Sequence, residues 1–403
     1  RPYVDRSSTA LGMRSFLVFA VWAVCFCVAP SPVSASGGSV GAEPDSLRSA
    51  VEQAAQEYFA AAPQAVGLSV GVIAGGDVRT FHFGSVEPDG PAPDDQTVYA
   101  IGSITKTVTG TLLAQAALDG RLDLSADIRD YLDGSYPNLE YEGQPITPAH
   151  LVNHVSGLPA YLPDRPEMSP GFADYGEDAV AWVRAVKPVI DAYSRDDFFR
   201  DLRAVQLDTI PGIQFSYSNA SAELAGFILE RVYGRPYEVL VDSFITQPLG
   251  LASTSFEPGA RVATGYDGTG RPMPRPPASR AAGGLWSTID DLARYAQWHL
   301  DERAPVVQLS HTPPGGAPDD PAQGFAVGLS WQMVRSAGGI RRVSQDGNVV
   351  GFAARVVLYP ELGLGVVVLA NQLDRSIPPQ TDQLADAVLE ALDERTFTFL
   401  EGL

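Results

Sequence analysis

The segment IGSITKT, residues 101–107, places Ser103 and Lys106 three positions apart. On a helix this spacing brings both side chains to one face, a turn apart. A serine becomes a nucleophile when a neighbouring base accepts its proton, and a lysine whose pKa is lowered by burial can be that base. An arginine cannot, because its guanidinium keeps its proton. The pair suggests an activated serine, although an isolated S-x-x-K match is more often a capping serine beside a solvated lysine.

Lysine usage favours the chemical interpretation of Lys106. The chain has two lysines, Lys106 and Lys187, and places arginine at its other basic positions. A surface position in this sequence would therefore carry arginine more often than lysine. A lysine retained next to Ser103 indicates a task that needs a removable proton.

Two later segments carry groups that would complete such a site. In PGIQFSYSN, Tyr217 could relay a proton, and the Asn219 carboxamide could orient the lysine and bind a substrate carbonyl. In SQDGNVVGF, residues 344–352, Gly347 would let a substrate backbone lie against a strand, and nearby N–H groups could form an oxyanion hole. Taken alone, the first segment is better explained as a turn with a core tyrosine, and the second is equally typical of a hairpin bend.

Together, S-x-x-K, Y-x-N and a late glycine motif resemble the serine β-lactamase and penicillin-binding protein superfamily, in its class C-like branch. The segments ITPAHLVNHVSGLP, ITQPLGLASTSF and AAGGLWSTIDDLARYA are also similar to that branch, so the resemblance covers nearly all of the chain after residue 35. It implies an α/β (α+β) protein with the β-lactamase/transpeptidase-like fold. In that fold an antiparallel sheet flanked by helices is joined to an all-helical domain.

The resemblance also implies roles for individual positions. Ser103 would be the nucleophile, Lys106 its basic partner and Tyr217 the proton shuttle. Asn219 would bind Lys106 and the substrate amide. The backbone N–H groups of Ser103 and Asn348 would form the oxyanion hole. The substrate-binding positions implied in this way are Asn219, Gln345, Gly347 and Asn348.

Gln345 departs from the family pattern, in which the third motif usually begins with Lys or His. A glutamine brings no positive charge for the carboxylate that β-lactams and D-Ala-D-Ala peptides carry. Asp346 would discourage such an anion further if its side chain faces the pocket. Arg341 or Arg342 could compensate, and Gln345 could equally be a neutral replacement with little effect on the site.

We therefore expect a serine hydrolase that acts through an acyl-enzyme on an ester, an amide or a D-amino-acid peptide. A true class C β-lactamase is one alternative, and a non-catalytic penicillin-binding relative is another. The intact S-x-x-K and Y-x-N motifs argue against the second alternative.

The elements that must position these motifs predict a sheet built from both ends of the chain. GLSVGVIAGGDVRTFHFG predicts two strands that turn at Gly75–Gly76, and the segments after residue 325 predict further strands. GSITKTVTGTLLAQAALDG predicts a helix from near Ser103 to near Gly120.

The predicted elements separate into two groups along the chain. Residues 36–124 and 281–403 predict an α/β domain, whereas residues 125–280 predict helices and Pro-rich connections without strands. A cleft between the two groups is the expected place for the site.

Residues 1–35 are predicted to consist of a few upstream residues followed by a secretory signal peptide. Met13 and Arg14 are followed by the apolar run FLVFAVWAVCFCVA, and Ala35 ends a stretch of small residues suited to cleavage. We expect a periplasmic or secreted protein without a stable membrane span after cleavage. Cys25 and Cys27 lie within the signal, so no cysteine remains afterwards.

The composition limits the range of partners. The formal net charge is −20, spread along the chain without a long acidic run. Because phosphate contacts need basic patches, this charge argues against nucleic-acid binding. The expected partner is a small-molecule or peptide substrate.

Two other motifs suggest different chemistry. GLSVG around Ser69 matches the nucleophile elbow of α/β-hydrolases, but it continues as a strand where an elbow needs a sharp turn and a helix. His150 and His154 have the spacing of a helical zinc pair, but no glutamate adjoins them and no third ligand stands out. We expect no metal and no other cofactor.

Overall fold

The computed structural model describes residues 44–165, 168, 179–277, 279–313, 325–336, 338–373 and 377–396. The predicted signal segment and both cysteines lie outside these ranges. The helices are α1 (Pro44–Ala61), α2 (Thr105–Leu118), α3 (Pro148–Val152), α4 (Ala179–Asp191), α5 (Arg195–Leu202), α6 (Asn219–Tyr233), α7 (Tyr237–Val241), α8 (Gln247–Leu249), α9 (Arg280–Gly283), α10 (Ile289–Leu300), α11 (Pro305–Ser310) and α12 (Ile377–Leu392). The strands are β1 (Gly67–Ala74), β2 (Asp77–Gly84), β3 (Val98–Ala100), β4 (Glu140–Tyr141), β5 (Gln144–Pro145), β6 (Tyr266–Asp267), β7 (Trp286–Thr288), β8 (Ala326–Val327), β9 (Gln332–Arg335), β10 (Arg341–Val349), β11 (Phe352–Tyr359), β12 (Leu364–Ala370) and β13 (Gln372–Leu373).

Within the described residues, the main sheet has seven antiparallel strands in the order β2-β1-β12-β11-β10-β9-β8. The β1–β2 hairpin turns at Gly75 and Gly76, whose φ angles of 60° and 87° are easily adopted by glycine. Strand β1 pairs with β12 from Leu68 opposite Ala370 onwards. Since β1 comes early in the chain and β12 late, both ends of the chain build the sheet, as the sequence predicts.

Helices cover both faces of this sheet. On one face, α1 and α12 pack through a cluster that includes Val51, Tyr58 and Val388. On the other face, α10 packs so close that a Cβ added at Gly71 would lie 3.2 Å from the Cβ of Ala293. Burial on both faces explains why β1 is apolar along nearly its whole length instead of alternating.

Helices α3 to α8 fall within residues 125–280, where the sequence predicts helices. Two of them begin with a serine cap, since Ser194 accepts the N–H of Asp197 and Ser218 accepts that of Ser221. Strands β4, β5 and β6 also lie in this range, so the prediction that it contains no strands is wrong. Each has two residues, too few to leave an alternating pattern in the sequence.

The described residues all belong to one compact unit. The division into an α/β domain and a helical domain therefore stays a prediction about how the elements are grouped. Among the described residues, no helix combines the length and the apolar composition that crossing a bilayer requires.

Candidate active site

Ser103 lies at the entrance to helix α2. A short 3₁₀ turn, Gly102–Ile104, precedes the helix, and Gly102 adopts a positive φ of 49°. Ser103 is half-buried, whereas the first three turns of α2 that follow are buried almost completely. The nucleophile candidate therefore lies at the N-terminal, positive end of an enclosed helix, where developing negative charge is stabilised.

Lys106 is the buried cation of this site, with no exposed surface. Its Nζ donates to Oγ of Ser103 at 3.0 Å, to Oδ1 of Asn219 at 2.7 Å and to the carbonyl oxygen of Ala282 at 2.6 Å. Burial lowers the pKa of Lys106 to about 7, against the opposing effect of the carboxylates of Glu223 and Asp346. A substantial fraction of this lysine is therefore neutral near pH 7.

The three contacts of Lys106 determine what the neutral amine can do. Asn219 and Ala282 supply oxygens that accept hydrogen bonds and cannot donate one from those atoms. They hold the two remaining amine hydrogens, so the lone pair points at Oγ of Ser103. The same geometry that lets the ammonium donate to Ser103 lets the neutral amine accept the proton of that hydroxyl.

Tyr217 lies on the other side of the serine. Its hydroxyl is 2.5 Å from Oγ of Ser103, and Nζ of Lys106 lies 4.8 Å from the centre of its ring. Burial raises the pKa of Tyr217 well above its usual value, so the phenol keeps its proton at neutral pH. Near pH 7 the neutral amine of Lys106 is therefore far more populated than the phenolate of Tyr217, which makes Lys106 the better candidate for the base.

His154 fixes the segment that carries Tyr217. Its carbonyl oxygen accepts the N–H of Ser216 at 2.7 Å, and its Nδ1 accepts the N–H of Ser218 at 3.2 Å. The imidazole also lies against Tyr217, with 4.4 Å between ring centres. Burial and the nearby Lys106 lower the pKa of His154 to about 3, so Nδ1 stays free to accept.

The third motif lies on β10, beside the Ser103 turn. A Cβ added at Gly347 would lie 2.0 Å from the carbonyl oxygen of Ile101, so only glycine permits this approach. The space next to Gly347 is therefore taken by the chain's own backbone. A Cβ added at Gly102 would lie 3.2 Å from the backbone nitrogen of Asn348, which brings that N–H next to the nucleophile's turn.

Gln345 and Asp346 point to opposite faces of β10, as alternation requires. Gln345 is buried, whereas the Asp346 side chain is 40% exposed. Asp346 accepts a hydrogen bond from Nδ2 of Asn348 at 2.9 Å, and a guanidinium nitrogen of Arg355 lies 3.7 Å away. Its carboxylate also acts on the pKa values of both Lys106 and Tyr217, so it contributes negative charge to the site.

Arg341 and Arg342, the two candidates to replace the missing cation, are bound to carboxylates. Arg341 pairs with Glu302 and Glu361, and Arg342 pairs with Asp386 at 2.8 Å. These contacts hold their charge away from a substrate anion, so they do not compensate for Gln345.

A cavity of about 410 Å³ opens from Ser103 towards α5 and α6. Its wall includes apolar side chains, among them Leu162, Ile190, Phe198, Phe227 and Val349. The arginines on its described wall are neutralised locally, because Arg195 pairs with Glu230 and Arg280 pairs with Glu230 and Glu238. The cavity therefore has a largely apolar wall and offers no unpaired arginine, among the described residues, to a substrate anion.

The competing nucleophile Ser69 lies in the middle of β1 with no exposed surface. It is hydrogen-bonded to Nδ1 of His82 at 3.0 Å and to the hydroxyl of Tyr99 at 3.0 Å, and Nε2 of His82 reaches Asp95. A serine, a histidine and an aspartate thus lie in series, but a substrate could not reach Ser69. The strand interpretation of GLSVG agrees with this position.

The two histidines with zinc-like spacing do not share a helix face. Helix α3 ends at Val152, and His154 follows it with a positive φ of 58°. Nδ1 of His150 accepts the N–H of Thr147, whereas Nδ1 of His154 accepts that of Ser218. The imidazole of each histidine therefore accepts a backbone hydrogen bond.

Three contributors to the site were not predicted from the sequence. The carbonyl of Ala282 carries no sequence signal, because a backbone oxygen is common to every residue. Glu223 follows Asn219 by one helical turn on α6, a spacing that could have placed it beside Lys106. His154 belongs to none of the three catalytic motifs, and its contacts with the Tyr217 segment become visible only in the fold.

Comparisons with known proteins agree with this geometry. The chain is 27% identical over 369 residues to the D-alanyl-D-alanine-carboxypeptidase/endopeptidase AmpH of Escherichia coli K12, covering 86% of this chain and 90% of that protein. It is 27% identical over 374 residues to a beta-lactamase of Pseudomonas fluorescens, covering 81% of this chain and 94% of that protein.

The fold has solved relatives as well. The crystal structure of a beta-lactamase/D-alanine carboxypeptidase from Yersinia pestis, complexed with citrate, superposes with a TM-score of 0.68 and 25% identity, covering 86% of this chain and 99% of that one. This similarity confirms the predicted fold class. Since the profile of the Beta-lactamase family matches residues 50–390, the chain belongs to the Beta-lactamase family of serine hydrolases.

Proposed function

We propose that this protein hydrolyses uncharged carboxylic esters or amides through an acyl-enzyme on Ser103. The observation that carries the proposal is the set of three contacts at Nζ of Lys106, which aims the neutral amine at Oγ of Ser103. Ser103, Lys106 and Tyr217 are the catalytic residues of this proposal. We propose Asn219, Gln345, Gly347 and Asn348 as the substrate-binding positions, with Gly347 acting by letting β10 approach the Ser103 turn.

The proposed reaction begins with the attack of Oγ of Ser103 on the substrate carbonyl carbon, while neutral Lys106 accepts the hydroxyl proton. The carbonyl oxygen becomes an oxyanion, which the N–H groups of Ser103 and Asn348 stabilise. The proton then passes through the phenol of Tyr217 to the leaving alcohol or amine as the carbon–heteroatom bond breaks. The lysine ends this half-reaction neutral, and the serine is acylated.

Water completes the cycle along the same route. It attacks the acyl carbon, gives its proton to Lys106, and forms a second oxyanion in the same position. The carbon–Oγ bond then breaks, and Oγ of Ser103 recovers the proton. The acid is released and the site returns to its starting protonation state.

The preference for an uncharged substrate rests on the charges around the site. Gln345 provides no cation, Asp346 adds negative charge, and Arg195 and Arg280 are already paired on the cavity wall. A substrate carboxylate would find no unpaired arginine on the described cavity wall, and the Asp346 carboxylate is only partly offset by Arg355 at 3.7 Å. The relatives named for beta-lactamase and D-alanyl-D-alanine carboxypeptidase activity nevertheless make a carboxylate-bearing β-lactam or D-amino-acid peptide the second candidate.

We also propose that the protein is exported, with cleavage after Ala35 and no stable membrane anchor afterwards. The apolar run and the small residues before Ala35 support this proposal. Sequencing the N-terminus of protein recovered from the periplasm or medium tests it. Recovery of the uncleaved chain from the cytoplasm would contradict it.

The function is tested by comparing two substrates. We would measure turnover of a short-chain p-nitrophenyl ester and of a chromogenic cephalosporin by wild type, Ser103→Ala and Ser69→Ala, in low and high salt. We expect wild type and Ser69→Ala to hydrolyse the ester and to turn over little cephalosporin. We expect Ser103→Ala to hydrolyse neither substrate.

The variant Gln345→Lys adds a test of substrate charge. If the missing cation limits β-lactam turnover, this variant raises the cephalosporin rate relative to the ester rate. Rapid cephalosporin turnover by the wild type would overturn the preference for uncharged substrates and favour the second candidate. Ester turnover that persists in Ser103→Ala would overturn the assignment of the nucleophile.

A further inference from the structure

Glu223 is a carboxylate on the cavity wall that the proposed mechanism does not use. It lies on α6 one turn after Asn219, is half-buried, and lines the cavity that opens from Ser103. Enclosure by the protein raises its pKa, while hydrogen-bond donors and Arg280 oppose that effect. A carboxylate is costly to keep in such a place unless it has partners.

The partners of Glu223 connect it to Lys106. Its Oε1 accepts the hydroxyl of Ser279 at 3.0 Å and the N–H of Ala282 at 3.1 Å. The carbonyl oxygen of the same Ala282 accepts a hydrogen bond from Nζ of Lys106 at 2.6 Å. One residue of α9 is therefore held by Glu223 through its nitrogen and by Lys106 through its oxygen.

The charge of Glu223 acts on the same lysine. Burial has the largest effect on the pKa of Lys106 and lowers it. Glu223 is the largest opposing influence, ahead of Asp346. Without a nearby carboxylate, a lysine this deeply buried would hold its proton too weakly to act as an acid on the return path. The carboxylate of Glu223 on the cavity wall opposes this loss of basicity.

We propose that Glu223 is a positioning residue that holds the Ala282 carbonyl on Lys106 and supplies the negative charge that keeps this lysine able to bind a proton. The inference rests on the proposed function, since it takes Lys106 as the base. It adds a residue from outside the three family motifs to the machinery of the site.

Other charged and titratable groups near Lys106 also influence its pKa, and their influence must be distinguished from that of Glu223. Asp346 acts on its charge from β10, Tyr217 lies against it from the segment before α6, and His154 is influenced by it from the loop after α3. The pKa values of His154 and Tyr217 lie respectively below and above the neutral range, so neither changes charge there. Asp346 stays in place in every variant described below.

The scarcity of lysine makes a direct measurement practical. Protein made with lysine that carries NMR-active isotopes at its terminal carbon and nitrogen gives signals from Lys106 and Lys187 alone. Lys187, which pairs with Asp191 on α4, is an internal reference in the same sample. We would titrate wild type, Glu223→Gln and Glu230→Gln, and record kcat/KM for the ester against pH for each.

In Glu223→Gln we expect the Lys106 titration midpoint to fall by about one pH unit or more, because an opposite charge has been removed. The acid limb of kcat/KM should move in the same direction, and Lys187 should not respond. Glu230→Gln is the matched control, because Glu230 lies on the same helix and pairs with Arg195 and Arg280. It should leave the Lys106 midpoint unchanged.

Glu223→Asp separates charge from position and serves if Glu223→Gln does not fold. A shorter carboxylate keeps the charge near Lys106 but retracts from the N–H of Ala282, so the midpoint should stay near wild type while kcat falls. An unchanged Lys106 midpoint in folded Glu223→Gln would overturn the proposal, as would a fall in Glu223→Asp equal to that in Glu223→Gln. The titration needs no turnover, so failure of the ester assay would count against the proposed function alone.

Discussion

At the scale of single residues, the site depends on a lysine that can lose its proton. We expect Lys106→Arg to reduce ester kcat by roughly a hundredfold or more, the usual contribution of a general base, because a guanidinium stays protonated. Kinetics on purified, folded variants measure this. Lys187→Arg is the matched control, since Lys187 lies on α4 in an ion pair with Asp191 that an arginine can keep. Near-wild-type activity in Lys106→Arg would rule out proton transfer to this residue.

The pKa of Lys106 also predicts the pH dependence. Its value of about 7 lies below that of an ordinary lysine because the ammonium is buried. Below this pH the amine is protonated and cannot accept the Ser103 proton, so kcat/KM should fall tenfold per pH unit on the acid side and level off above about pH 8. A profile of ester hydrolysis measures the limb. A limb centred near pH 10 would mean that Lys106 is not desolvated in solution.

At the scale of elements, β10 and the turn before α2 must approach within backbone contact. Gly347→Ala places a Cβ 2.0 Å from the carbonyl oxygen of Ile101, so one backbone has to move. Because the Asn348 N–H lies next on that strand, we expect loss of ester kcat by a factor of ten or more, as for a weakened oxyanion donor. Overpacking should also cost about 1–3 kcal/mol of unfolding free energy.

A second glycine distinguishes catalysis from stability. Gly75 lies in the β1–β2 turn with a φ of 60° and has no atom within 4 Å of an added Cβ. Gly75→Ala should therefore cost about 1 kcal/mol of stability through its backbone conformation and leave kcat unchanged. Equal loss of activity in both variants, measured beside urea unfolding, would show that Gly347 acts through stability alone.

The sequence predicted the elements whose residues follow a regular pattern. The apolar run of β1, the Gly75–Gly76 turn and the helix after Ser103 all follow from local composition. The helix begins slightly later than predicted, at Thr105, because the residues around Ser103 form a 3₁₀ turn. Such a boundary depends on packing against β10, which no local pattern records.

The predicted site is less complete, because parts of it exist only in the tertiary structure. Ser103, Lys106, Tyr217 and Asn219 could be chosen from the motifs, and the fold brings them together. The carbonyl of Ala282 lies 176 positions from Lys106 in the chain, and it contacts Lys106 only because the tertiary structure packs α9 beside α2. Its support from Glu223 depends on that placement in turn.

At the scale of the whole molecule, the last helix supports the strand that carries the third motif. Arg342 on β10 is 1% exposed and pairs with Asp386 on α12 at 2.8 Å, and Asp382 on the same helix adds a second negative charge nearby. This ion pair joins α12, near the C-terminal end of the described chain, to β10, the strand beside Ser103. Its stability and its effect on the site can therefore be tested together.

Breaking this pair from one side should destabilise the protein more than replacing it. Asp386→Ala removes the carboxylate that pairs with the buried Arg342 guanidinium at 2.8 Å, and such a loss costs about 3–5 kcal/mol. The double variant Arg342→Met with Asp386→Leu removes both charges and their desolvation, so it should regain most of that free energy, because buried pairs often gain nothing over apolar packing. Urea unfolding of wild type and the two variants gives the comparison. Since neither residue touches the cavity, ester kcat in the double variant should remain near wild type. A double variant as unstable as Asp386→Ala would show that packing, and not the loss of the Asp386 charge beside Arg342, determines the decrease in stability.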